Sequence, residues 1–144
     1  MRFAKLALLA VLSLSMASCS VQLGSTQQED LLMRTDWQAT LLGGVGVVTP
    51  TPVTLTFNEG RGSGRSGCNY YSGAVEYSDG NIKFGNIIST KMACIDGGVM
   101  QFEQNYLNAL QSARRYSYDA SGNLVVSGND VDIQYKATPR QIRP

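Results

Sequence analysis

The chain has 144 residues, with 12 Lys and Arg against 11 Asp and Glu, no histidine, and a formal net charge of +1. So even a balance leaves no basic field to draw nucleic acid. The absence of histidine excludes Cys-His and Ser-His nucleophilic pairs and every zinc set that needs imidazole.

The chain opens "MRFAKLALLAVLSLSMASC". Arg2 and Lys5 precede an almost wholly apolar run over residues 6–14, and small residues follow. This is the pattern of a secretory signal peptide over residues 1–18, too short and wrongly flanked for a spanning helix. Its end, "MASC", resembles a bacterial lipobox, with Met16 where Leu is usual, and marks Cys19 as a lipidated first mature residue. The alternative is an ordinary signal peptide cut near Ala17 or Ser18, with Cys19 a free thiol. Removing Arg2 and Lys5 from the 12 cations leaves 10 against 11 anions, a net of −1. The acyl chains alone would then hold the protein to its membrane. Ser20 stands where, in enterobacterial lipoproteins, Asp favours inner-membrane retention. The expected location is therefore the outer membrane, facing the periplasm. Lipid on Cys19 also leaves two of the three cysteines, Cys68 and Cys94, as an even pair for an oxidising compartment.

Residues 19–33 start polar and show no sustained period, and read as a tether with a reach of roughly 20 Å. One folded domain is expected over residues 34–137, with a proline-bearing frayed tail at 138–144. Its first strand, "DWQATLL", places Trp37, Ala39 and Leu41 on one face. "GGVGVVTPTP" is a Gly/Pro loop. "VTLTF" is a strand with Val53, Leu55 and Phe57 inward. "RGSGRSGC" makes a poor isolated strand, paired only if its neighbours crowd its backbone. "GAVEYS" and "NIKF" form a hairpin across "DGN". "NIISTKMAC" is an extended edge segment. In "DGGVMQFEQNYLNALQSA", Val99, Phe102, Tyr106 and Leu110 recur every three or four residues, which predicts a helix near residues 97–112 with Asp96 as N-cap. "RRYSYD", "NLVVSG" and "DVDIQYK" close the chain as strands. The fold class is α+β, mainly antiparallel β, with about eight short strands curled towards a barrel. Trp37, Leu55, Phe57, Phe84, Phe102, Tyr106, Leu110, Leu124 and Ile133 are the expected core.

The stretch "SGCNYYSG", residues 66–73, has the look of a site. A cysteine nucleophile needs a base or a cationic neighbour. Two cysteines so far apart do not make a zinc site, and "GRGSGRSG" lacks the GK[ST] of a phosphate cradle. The acidic residues stand singly apart from Glu29 and Asp30. Spacing alone leaves a general acid/base pair open. A structural corner accounts for the stretch without chemistry. Tyr70 and Tyr71 point to opposite faces of extended chain, and Asn69 and Gly73 suit a turn. Joining Cys68 to Cys94 closes a loop of about 27 residues, which contributes about 3.5 kcal/mol if unstrained. Two reduced, buried cysteines are the alternative, because spacing does not fix their distance.

The segments "SGCNYYSGAVEYSDGNIKFGNIISTKMAC", "FEQNYLNAL" and "YSYDASGNLVV" together resemble the META domain of bacterial HslJ-like proteins. The resemblance rests on Trp37, on Gly67-Cys68-Asn69 with Tyr71 and Gly73, on Thr90-Lys91-Met92-Ala93-Cys94, and on the helix to Leu110. It covers about residues 36–136. It implies a compact, mostly β domain with one helix, often on an envelope lipoprotein, and cysteines in both segments. It brings associations with heat shock, motility and antibiotic tolerance, and no reaction, cofactor, metal or catalytic residue. The expected function is that of a non-catalytic cell-envelope lipoprotein that binds an envelope protein or serves under stress. The alternative is a small-molecule binder with an aromatic-lined pocket. A Cys68–Cys94 bond would gather Asn69, Tyr70, Tyr71 and Lys91 around one surface, the expected binding site.

Overall fold

The computed structural model describes residues 24–129 and 131–140. The signal-peptide and Cys19 expectations lie outside the described residues. The strands are β1 (Asp36–Leu42), β2 (Val45–Gly46), β3 (Thr54–Asn58), β4 (Arg61–Arg65), β5 (Tyr70–Ser78), β6 (Asn81–Phe84), β7 (Ile88–Ser89), β8 (Arg115–Tyr118), β9 (Leu124–Ser127) and β10 (Asp132–Thr138). Two helices, α1 (Ser25–Arg34) and α2 (Gly97–Gln111), complete the set. The strand order β10-β9-β8-β6-β5-β4-β3-β1 closes on itself through β1 and β10, making an antiparallel barrel of eight strands. The short strands β2 and β7 pair with β1 and β5 outside the ring. The fold is α+β and mainly antiparallel β, as the alternation of the sequence predicts.

Inward positions alternate with outward ones along each strand, so the apolar set of every strand meets the barrel axis. Trp37, Leu55, Phe57, Ile82, Phe84, Leu124, Val126 and Ile133 are buried there, and Tyr106 and Leu110 of α2 are buried with them. Phe102 departs from its expected place. It is half-buried and stacks on the Tyr106 ring, with centroids 6.2 Å apart, at the edge of the helix stripe. Leu41 also departs. A bulge between Ala39 and Leu41 shifts the register against β10, and Leu42 packs against the core.

The tether expectation fails over Ser25–Arg34. This segment is a helix, although its Ncap Gly24 supplies no side-chain cap. Leu32 is buried, and its carbonyl accepts from Trp37 Nε1 at 3.2 Å. Further bonds run from Tyr118 Oη to the Gln28 carbonyl, from Tyr77 Oη to Met33 Sδ and from the Asp79 N–H to Glu29. A helix this short is marginal alone, and tertiary contacts hold it. The start of the tail is docked as well, because Arg140 Nη1 donates to the Met33 carbonyl at 2.7 Å.

Strand β4 is glycine-rich for the reason its neighbours supply. A Cβ on Gly64 would stand 1.9 Å from the Thr54 carbonyl oxygen, so no side chain fits. The β6–β8 seam is the thinnest in the ring. It holds one registered pair, Asn81 with Arg115, plus bonds from Ile82 N to the Arg114 carbonyl and from Tyr116 N to the Gly80 carbonyl. The chain leaves β6, passes through β7 and α2, and returns to β8 across this seam.

Candidate functional site

The corner between β4 and β5 is built around Ser66, Gly67, Cys68 and Asn69. Gly67 takes φ of +113°, which favours glycine, and is the true turn glycine; Gly73, expected in a turn, lies within β5. Ser66 closes the turn, its N–H donating to the Asn69 carbonyl at 2.9 Å while its Oγ lies 3.0 Å from the same oxygen. Cys68 and Cys94 form a disulfide, with Cα atoms 6.2 Å apart.

One residue on α2 organises the corner, and the apolar pattern gave no place to it. Glu103 lies four residues after Val99 and three before Tyr106, on the inward face of the helix, and is buried. Its carboxylate accepts from Ser66 Oγ at 2.7 Å, from Asn69 N at 2.9 Å and from Asn69 Nδ2 at 2.7 Å. Burial works to raise its pKa. The bonds from Ser66, from the backbone and side chain of Asn69 and from the Cys68 backbone outweigh it, and the carboxyl is held below its ordinary value. A charged position inside a helical apolar stripe was the signal available for this residue.

Asn69 continues the chain of contacts. Its Oδ1 accepts from Thr90 Oγ1 at 2.9 Å and from Met92 N at 2.7 Å. The side chain thus bridges α2 to the segment entering Cys94. The four expected binding residues therefore divide. Asn69 and Tyr71 are buried with their polar atoms engaged, whereas Tyr70 and Lys91 are exposed.

Below the corner runs a chain of phenols. Tyr71 Oη donates to the Thr54 carbonyl at 2.8 Å. Tyr106 Oη lies 2.9 Å from Tyr71 Oη, and Tyr135 Oη 3.0 Å from Tyr106 Oη. Because Tyr71 spends its proton on Thr54, the direction is set: Tyr106 donates to Tyr71, and Tyr135 to Tyr106. Burial pushes all three pKa values well above the ordinary phenol, so they stay neutral donors inside the barrel. Among the described residues, no group of three His, Cys, Asp or Glu side chains could hold a metal ion.

On the outer side, β3, β4, β5 and β7 line an open groove with Thr54, Thr56, Ser63, Arg65, Tyr70, Ser72, Ile88 and Thr90. Near it, the segment from β7 to α2 exposes Ile88, Met92, Ile95 and Met100.

A family model described as META domain matches residues 29–138. The chain is similar to a solved structure titled "NMR structure of the protein from Burkholderia xenovorans", at 26% identity and a TM-score of 0.64, over 88% of this chain and 98% of the other. A second NMR structure, at 21% identity and a TM-score of 0.62, over 74% of this chain and 92% of the other, shares the fold. No curated protein matches.

Proposed function

Because the chain belongs to the META domain family, we propose that it is a non-catalytic binding module of the cell envelope, docking a protein partner at the disulfide-pinned corner. The observation that carries this reading is Ile95. Its side chain is fully exposed, yet it sits between Cys94, held by the disulfide, and Asp96, which caps α2 by accepting from Gly98 N at 2.8 Å. Several large apolar side chains displayed along one anchored segment favour a surface that a partner covers. Met92 and Met100 on either side are adaptable contact residues. The reading as a small-molecule binder with an aromatic-lined pocket has less support. Phe57, Phe84, Tyr71 and Tyr106 pack on one another inside the barrel.

The lipobox-like "MASC" supports attachment through acylated Cys19, Ser20 after it favours the outer membrane with the domain in the periplasm, and membership of the META family supports a role under envelope stress. Labelled palmitate entering the wild type and not Cys19→Ala tests the anchor; equal labelling refutes it. A photo-crosslinking residue at position 95, expressed in intact cells, tests the docking surface. A discrete adduct is expected there and not from position 136, an exposed site on β10. Identical adducts from both positions, or none from position 95, would overturn the reading.

A further inference from the structure

The groove on the outer face of β3, β4 and β5 has a floor of short hydroxyl side chains. Thr56, Ser63 and Ser72 stand in one registered row across the three strands. Arg65 forms a flank. Its guanidinium lies 4.6 Å from the centre of the Tyr70 ring, and its Nη1 donates to Tyr70 Oη at 3.1 Å. Arg61 reaches over the same floor, Nη2 donating to Ser72 Oγ at 2.9 Å. Arg65 Nε is buried without a hydrogen-bond partner among the described residues.

We propose that this groove binds an anionic oligosaccharide, a run of sugar rings bearing carboxylates. The main-chain groups of the floor already pair with neighbouring strands. An extended peptide, which binds by adding main-chain bonds to a sheet edge, finds no edge on that floor, and the one open edge at the rim, on β7, is two residues long. Recognition falls to side chains. Hydroxyls both donate and accept, as sugar hydroxyls do. Guanidinium forks match carboxylates in two parallel bonds. Arg65 and Arg140 line the groove against the single carboxylate of Asp36, which Arg140 pairs at 3.9 Å, and Arg61 stands beside it on Ser72, so the net charge around the floor is positive and complements an acidic sugar chain. The resting contact between Arg65 and Tyr70 fits the same role. Turning the guanidinium from the phenol onto a carboxylate gives Nε a partner and frees the Tyr70 face to pack on a sugar ring. The inference is independent of the docking reading, since Met92, Ile95 and Met100 do not line the groove.

The test titrates the full chain with a short oligogalacturonate, a maltooligosaccharide of equal length and polyglutamate. Saturable binding of oligogalacturonate is expected, weakening as salt rises. Arg65→Gln and the exposed Arg61→Gln should each weaken it about tenfold or more, while Ile95→Ser leaves it unchanged. The Arg61 variant keeps the test sound if replacing Arg65 perturbs the fold. No saturable binding of oligogalacturonate overturns the proposal, as does equal binding of the neutral sugar. Tighter binding of polyglutamate makes the groove an acidic-peptide site and overturns it too. Full affinity in both arginine variants would place the sugar elsewhere.

Discussion

Replacing Glu103 by Gln removes a charge without removing volume, and the cost follows from the bonds around it. Three donors, from Ser66 and from the backbone and side chain of Asn69, converge on the two carboxylate oxygens. An amide keeps one acceptor oxygen and turns the other into a donor facing donors. At least one buried group is then left unpaired, at about 1–3 kcal/mol, and the remaining bonds lose their charge assistance. We expect Glu103→Gln to lose about 2–4 kcal/mol at neutral pH. The pH dependence carries a sign. The folded-state pKa of Glu103 lies below its ordinary value. Its contribution is therefore present above the unfolded-state pKa and disappears as pH falls through the lower, folded-state value. The difference between wild type and Glu103→Gln should be largest near neutrality and shrink as acid is added. Asp119, whose carboxyl is also lowered by bonds from Asn123, titrates in both proteins and cancels in the difference. Urea unfolding followed by the fluorescence of Trp37, repeated from neutral to acidic pH, measures it. A variant as stable as wild type at neutral pH, or a deficit that stays constant into acid, would refute the reasoning.

Three further outcomes are expected. Reducing the disulfide, or replacing Cys68 and Cys94 together by serine, should lower stability by about 3.5 kcal/mol; unchanged urea midpoints would mean that the Glu103 and Asn69 bonds alone hold the corner. Leu32→Ala should cost about 2–5 kcal/mol, and proteolysis should then cut first within Ser25–Arg34; a loss under about 1 kcal/mol would show that α1 lies on the barrel without stabilising it. Gly64→Ala should cost more than about 4 kcal/mol, because the new methyl meets the rigid Thr54 carbonyl; calorimetry showing near-normal melting would mean that β3 and β4 shift apart freely.

How much of this was legible depends on what each element uses to hold its place. Strands β3, β5, β6, β9 and β10 and helix α2 announce themselves because each buries side chains at its own period. The pairing of Cys68 with Cys94, which spacing left open, is present. Helix α1 stays hidden because its evidence is tertiary: one buried leucine and bonds from Trp37, Tyr77 and Tyr118, all beyond the segment. The bulge in β1 is hidden for a related reason, since alternation cannot register an inserted residue without the partner strand. At the corner, Cys68, Asn69 and the tyrosines were conspicuous by type. Their roles were not, because the place of Glu103 in the apolar stripe of α2 marks it as unusual without showing which turn donors it holds.

The closure of the ring bears on how the chain can fold. Every neighbouring pair in the barrel but one joins strands that follow each other along the chain, with nothing longer than β7 and α2 between them. The exception joins β1 to β10, where the Thr138 hydroxyl donates to the carbonyl of Asp36, 102 residues away. A chain cut short of Asp132 would carry two unpaired strand edges at once, one on β1 and one on β9, both templates for pairing with other chains. The sheet can grow strand by strand as polypeptide emerges, but it cannot become a cylinder until the last stretch arrives. Closure of the ring is thus held back until Asp132–Thr138 is available to pair with β1, so the slowest contact to form is also the one that removes both edges.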